Sequence, residues 1–192
     1  MLPSLKEVTP REGTSIISKD ISLSVEDGFA DEAKLLIQNL KEMGYNVTDK
    51  GQTVIALCHF PQNMQAKNDE HYRLDVKDKY ITVSGGTPHA IFNGTQTLVS
   101  LLKKQTIPAK LENIAINDYP DLLYRGMMLD IARNFTKKAD LLKLINQLAA
   151  YKINVLHFHF SDDEAWRLEI PGLEELTACL LYTSDAADDL IG

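Results

Sequence analysis

The sequence predicts an α/β chain in two parts: a small α+β domain over residues 1–117, then the opening of a parallel sheet wrapped by helices. Three observations predict it. Residues 1–117 hold several short strand-like runs and two amphipathic helical stretches. Residues 124–170 read apolar run, helical stretch, apolar run: YRGMMLDIARNFTKKADLLKLINQLAAYKINVLHFHFSDDEAWRLEI. Between them, Asn117-Asp118-Tyr119-Pro120-Asp121 punctuates the chain as a boundary. A strand–helix–strand crossover of that length joins parallel neighbours, and parallel strands are ordinarily buried on both faces.

In chain order, residues 15–25 alternate as one strand, with Ile17, Ile21, Leu23 and Val25 as its apolar members. A helix over about 30–43 presents Ala33, Leu36, Ile37 and Leu40, and Gly44 suits the position after its end. Asn46-Val47 leads into a turn at residues 49–51. Residues 53–60 form an apolar run that predicts a buried strand, with Cys58 as a buried free thiol. Residues 61–70 are polar and loop-like. Tyr72–Val76 and Tyr80–Ser84 flank Lys77-Asp78-Lys79 as a hairpin. Pro88 suits a first helical turn, and the helix it opens runs to about residue 103. Gly94 inside that helix costs roughly 1 kcal/mol against Ala, which close packing on the sheet would explain. Residues 110–116 close the domain as a strand or connector.

The second part begins with a short run over residues 126–131. Thr136 suits a helix N-cap and Asp140 the first turn. Leu141, Leu144, Ile145 and Leu148 recur at helical spacing. A second run over residues 154–160 ends in Ser161-Asp162-Asp163. In sheets and barrels of this kind, chemistry gathers at the carboxyl ends of the strands, which is where those acids stand.

Composition excludes several classes. The chain has 192 residues, is 44% hydrophobic and 24% charged, and carries 20 basic against 27 acidic side chains for a net charge of −7. A nucleic-acid surface needs a basic stripe, which this balance lacks. No run is long enough to span a bilayer, so no membrane partner is expected. The N-terminus shows no basic stretch followed by an apolar one, hence no secretory signal as written. Two cysteines, Cys58 and Cys179, make neither a disulfide framework nor a zinc set.

The stretches YRGMMLDIARNF and YKINVLHFHFSDDEAWRLEIPGL resemble the opening of the catalytic barrel of glycoside hydrolase family 20, the β-N-acetylhexosaminidases. Asn134 departs from the family pattern, which often has His after the Arg. Phe92-Asn93-Gly94-Thr95-Gln96-Thr97-Leu98 resembles the helix of the domain that commonly precedes that barrel, with Asn93 in place of the usual Tyr. The resemblance implies a small α+β N-terminal domain (1–117) followed by the first two strands of a truncated (β/α)8 TIM barrel (118–178). About seventy residues after Pro120 fall far short of the roughly 200 or more that a complete barrel needs. Residues 179–192 change texture: CLLYTSDAADD has no periodicity and resembles a translated sequencing adapter, so a non-native tail is expected there.

The same resemblance implies substrate-assisted, retaining removal of terminal β-linked N-acetylglucosamine or N-acetylgalactosamine, an exception to the two-carboxylate scheme. The partner would be an oligosaccharide or glycoconjugate containing N-acetylhexosamine, with no cofactor and no metal. The catalytic Asp-Glu pair is implied on a later strand, so no residue of this chain takes a catalytic role, Asp163-Glu164 and Asp188-Asp189 included, and the chain is expected to be inactive alone. Substrate contact falls to Arg125, which by residue type suits either two sugar hydroxyls or a salt bridge at the barrel floor, and to Asp162. His159 and Asp163 are candidates for supporting Asp162. Asp130 reads as a structural partner of Arg133. His157 and His159 alternate with apolar residues and read as buried, hydrogen-bonded histidines rather than a metal pair, and Trp166 as packing. The competing reading is a non-catalytic α/β module that binds carbohydrate or protein.

Overall fold

The structure is a computed structural model and describes residues 3–162 and 165–178. The chain divides into two compact units, Met1–Leu123 with Ala150–Lys152, and Tyr124–Ala149 with Ile153–Gly192.

The first unit is built on strands β1 (Glu7–Ile17), β2 (Asp20–Val25), β3 (Asn46–Val47), β4 (Thr53–His59), β5 (Tyr72–Lys77), β6 (Tyr80–Gly85) and β7 (Ala109–Asp118), with helices α1 (Ala30–Glu42) and α2 (Pro88–Leu102). Among the described residues these strands form one sheet in the order β1-β7-β5-β6-β4-β2-β3. The β5–β6 hairpin turns at Asp78, whose φ is 56°, and pairs antiparallel with Tyr72 opposite Gly85. From β6 outward through β4, β2 and β3 the pairing is parallel: α1 supplies the crossover from β2 to β3 and β4, and β5 intervenes in the chain between β4 and β6. Alternate residues of the strands point to one face. There Ile55, Leu57, Leu74, Val76, Ile81 and Val83 bury completely beneath Leu36 and Leu40 of α1 and Ile91 and Leu98 of α2.

The single strand expected over 15–25 is two strands that belong to different regions of the sheet. β1 pairs only with β7, at the edge, and β2 pairs with β3 and β4. The chain turns at Ser18, whose N–H donates to Thr53 Oγ1 at 2.9 Å. β1 also starts earlier than its apolar residues indicate, because most of it is an exposed edge with no buried face to impose alternation. That position tolerates Pro10, whose missing N–H would break a central ladder. Asn46-Val47 is likewise a short parallel strand rather than only a lead into a turn. Gly94 lies where the sheet comes closest to α2: a Cβ there would stand 2.4 Å from Val83 Cγ1 and 3.0 Å from Tyr72 Cδ2.

The second unit is a β–α–β crossover: β8 (Gly126–Asp130), α3 (Lys138–Ala150) and β9 (Val155–His159), followed by a short α4 (Glu175–Ala178). β8 and β9 are parallel, with Gly126 opposite Val155 and Asp130 opposite His159. Two expectations are corrected. α3 begins at Lys138, so Lys137 and not Thr136 precedes its first residue. The strands are not buried on both faces: Met127 is 38% and Met128 56% exposed, and α3 has no buried residue. One helix on two strands covers their apolar rows only in part, and Leu141, Leu144 and Leu148 are half-buried rather than buried. Among those residues no helix is long and apolar enough to cross a membrane.

Candidate functional site at the strand ends

The carboxyl ends of β8 and β9 carry an ordered polar cluster. Asp130, the last residue of β8, accepts the N–H groups of Ala132 at 3.0 Å and Arg133 at 3.1 Å through Oδ1, which turns the chain sharply out of the strand. Its Oδ2 accepts Arg133 Nη1 at 2.6 Å, so the expected Asp130–Arg133 pair forms. The Arg133 backbone N–H, followed by its guanidinium, holds the Asp130 carboxyl below the usual carboxylate range despite some desolvation. The other arm of Arg133 reaches toward the second strand, with Nη2 3.5 Å from Asp162 Oδ2.

Asp162 lies just past β9 and is nearly buried, its side chain 10% exposed. Its Oδ1 accepts the Ala165 N–H at 3.1 Å, and its own N–H donates to the Ala165 carbonyl at 2.9 Å. His159 Nε2 lies 3.4 Å from Asp162 Oδ2. Arg167 then ties this loop to the one after β8, donating from Nε to the Ile131 carbonyl and from Nη2 to the Ala132 carbonyl, each at 3.1 Å, with its guanidinium 5.5 Å from the Phe135 ring centroid. Sequence reasoning missed Arg167, because no spacing or periodicity marks a residue whose partners are backbone carbonyls on another loop.

Of the predicted residues, the structure brings His159 and Asp162 together and sets Arg125 at the opposite, amino end of the strand pair. Arg125 is half-buried, its N–H donating to Asn154 Oδ1 at 2.9 Å and its carbonyl accepting the Asn154 N–H at 3.1 Å. Asp163 and the Asp163-Glu164 dipeptide lie outside the described residues, as do Cys179 and the tail from residue 179. His157 is exposed rather than buried, because its face of β9 is uncovered. Trp166 packs as expected, edge-on to Phe160 at 6.3 Å, its Nε1–H donating to the Leu168 carbonyl. Cys58 is only partly buried, yet burial pushes its thiol up, away from the reactive thiolate.

A different trio comes together among the described residues. Donor atoms of Asp130, His159 and Asp162 all lie within 4.8 Å of one another. Two carboxylates and an imidazole are a donor set that suits a divalent cation in kind. The charge there is already answered by Arg133, whose guanidinium contacts both carboxylates. The cluster therefore acts chemically as a fixed array of hydrogen-bond acceptors and donors at the strand ends.

Comparison with known proteins gives two family matches. "Glycosyl hydrolase family 20, domain 2" matches residues 1–119, and "Glycosyl hydrolase family 20, catalytic domain" matches residues 122–189. The chain is similar to Beta-hexosaminidase B of Pseudoalteromonas piscicida, 34% identical over 183 residues, which are 95% of this chain and 23% of that protein. It is also similar to N,N'-diacetylchitobiase of Vibrio harveyi, 34% identical over 92% of this chain and 20% of that protein. Among solved structures, the GH20 exo-β-N-acetylglucosaminidase of Vibrio harveyi in complex with N-acetylglucosamine superimposes with a TM-score of 0.78 at 28% identity, covering 92% of this chain and 28% of that one. The GH20 β-N-acetylhexosaminidase of Streptomyces coelicolor gives 0.75 at 28% identity, over 92% and 37%. The chain thus spans less than two fifths of the length of each of these proteins.

Proposed function

The chain belongs to glycoside hydrolase family 20, covering its N-terminal domain and the start of its catalytic domain, and from that premise we propose that it forms part of a β-N-acetylhexosaminidase. The reaction is removal of terminal β-linked N-acetylglucosamine or N-acetylgalactosamine from an oligosaccharide or glycoconjugate. In this reading the substrate's own acetamido oxygen attacks the anomeric carbon, a Glu protonates the leaving oxygen, and a neighbouring Asp steers the acetamido group.

One observation carries the proposal: a matched N-terminal domain is followed by parallel strands whose carboxyl ends gather Asp130, Arg133, His159 and Asp162. A hydrolase barrel assembles its pocket from several strand ends. The relatives' names and the bound N-acetylglucosamine of the Vibrio structure point to acetamido sugars. We assign Arg125 to the sugar ring hydroxyls, because a guanidinium fork suits two adjacent oxygen acceptors; from the amino end of β8 this requires its long side chain to point into the barrel and reach toward the carboxyl ends. Asp162 contributes to the polar wall of the pocket, and His159 fixes the direction of its carboxylate. Asp163 is proposed to support the same wall.

The acid and the steering carboxylate belong to a later strand, so the 192-residue polypeptide by itself is inactive. The test is hydrolysis of a chromogenic aryl N-acetyl-β-glucosaminide. The full-length gene product that carries this chain releases the chromophore, and the purified 192-residue polypeptide does not. A full-length product that leaves the substrate intact defeats the assigned activity, and turnover by the 192-residue polypeptide defeats the assignment of the chemistry to a later strand.

A further inference from the structure

We propose that Asn154 is a positioning residue for Arg125, acting through the arginine's backbone and not on the sugar; the inference rests on the reading of Arg125 as a sugar contact. Arg125 directly precedes β8, and Asn154 directly precedes β9. Gly126 is registered with Val155, which makes Arg125 and Asn154 the next pair out, where a parallel ladder ends. Strand ends of this kind fray, since their backbone groups lose ladder partners. In this pair the side chain of Asn154 extends the ladder by one rung. Its Oδ1 takes the Arg125 N–H at 2.9 Å, while its own N–H reaches the Arg125 carbonyl at 3.1 Å and Val155 N–H approaches the same oxygen at 3.4 Å. Both backbone polar groups of Arg125 are thereby tied to one residue.

On the other side of Arg125, a Cβ on Gly126 would stand 2.6 Å from Tyr124 Oη and 2.7 Å from its Cε1, so the Tyr124 ring folds back over Gly126 and would have to swing away from any side chain there. The Asn154 clasp is what holds the Arg125 backbone. That matters for a long side chain: a guanidinium at the end of a flexible stem binds hydroxyls well only if its base is fixed, because misplacement by an ångström is expensive.

The experiment uses the full-length enzyme with Asn154→Ala, Asn154→Gln and Asn154→Asp, assayed on an aryl N-acetyl-β-glucosaminide and for inhibition by free N-acetylglucosamine. Asn154→Ala removes the acceptor, and both KM and the N-acetylglucosamine inhibition constant rise about tenfold, with kcat within about twofold. Asn154→Asp keeps an acceptor at the same reach and returns KM to near the wild-type value. KM does not depend on how many molecules fold, so a purely structural role lowers yield and apparent kcat while leaving KM in place. Unchanged KM in Asn154→Ala overturns the inference, as does a raised KM in Asn154→Asp. If the alanine form does not accumulate, Asn154→Gln, which carries the amide one methylene too far, takes its place with the same two outcomes. An inactive wild-type enzyme would instead sink the functional reading of the site.

Discussion

Lys152 is the residue with the most at stake in the first unit. Its φ of 58° lies in the left-handed region, uncommon for a side chain other than Asn, Asp or Gly, and only 8% of it is exposed. What holds it is a buried set of charges. Nζ donates to Asp118 Oδ2 at 2.8 Å and to the Tyr72 hydroxyl at 2.7 Å, and lies 4.6 Å from the Tyr72 ring centroid. The Tyr72 hydroxyl in turn donates to Asp118 Oδ2 at 2.7 Å with Thr97 Oγ1 2.6 Å away, and the Lys6 N–H satisfies Asp118 Oδ1 at 3.1 Å. Burial, and after it the Asp118 charge, push the Tyr72 hydroxyl's pKa far up, so it remains a donor at any ordinary pH. Removing one member of such a set leaves a buried charge unanswered, which costs about 3 kcal/mol or more. Lys152→Met should therefore lower the stability of the first unit by about that amount in urea titration. Adding Asp118→Asn should recover part of it, since the paired change removes the stranded carboxylate. A loss below about 0.5 kcal/mol for Lys152→Met would show the cluster to be energetically idle. None of this was legible in the sequence: Lys152 reads there as one more surface lysine between a helix and a strand.

At the scale of elements, legibility followed apolar patterning, whether or not the pattern ended up buried: β8, α3 and β9 were readable without a buried residue among them. α2 was readable at both ends, because Pro88 opens it, Thr87 Oγ1 accepts the Ala90 N–H at 3.1 Å, and its apolar face buries. The β5–β6 hairpin was readable because both strands alternate against a core. β1 was not, because an exposed edge strand carries no pattern to read. The start of α3 was displaced from Thr136 because a capping side chain is only one way to begin a helix. Gly94 joins the two kinds of evidence. The sequence shows a helix carrying an unfavourable residue, and the structure shows Val83 and Tyr72 occupying the space a Cβ would need. Alanine gains roughly 1 kcal/mol of helix propensity over glycine. Overpacking a contact of 2.4 Å costs typically 1–3 kcal/mol and forces α2 off the sheet. Gly94→Ala should thus be net destabilising, by about 1 kcal/mol, in chemical denaturation. A stabilised variant would mean that α2 shifts freely and that the glycine is incidental.

At the scale of the whole molecule, the candidate site shows how far a sequence can be read. Arg125 and Asp162 came from a resemblance, His159 from its alternation along the strand that leads to Asp162, and Asp130 as a structural partner of Arg133 from the alternation that turns it away from Arg125. The contact of Arg133 with Asp162 and the closure by Arg167 came from neither, since they depend on the parallel register that sets Asp130 opposite His159. The two units also differ in a way that composition hides. The first has fully buried side chains on every central strand and on both helices. In the second, α3 has no buried residue and β8 is largely exposed, although their apolar content predicts a core. Local opening free energy follows buried apolar contact. Amide hydrogens of β4, β5, β6 and α2 in the 192-residue polypeptide should therefore exchange several orders of magnitude more slowly than those of α3, as read by hydrogen exchange with mass spectrometry. The same peptides of α3 should become protected in the full-length product, where further strands and helices would cover the rows formed by Leu141, Leu144, Ile145 and Leu148. Protection of α3 in the short polypeptide equal to that of α2 would mean that a β–α–β crossover holds its own fold without a covering layer, and that its exposed apolar rows need no later strand or helix to settle them.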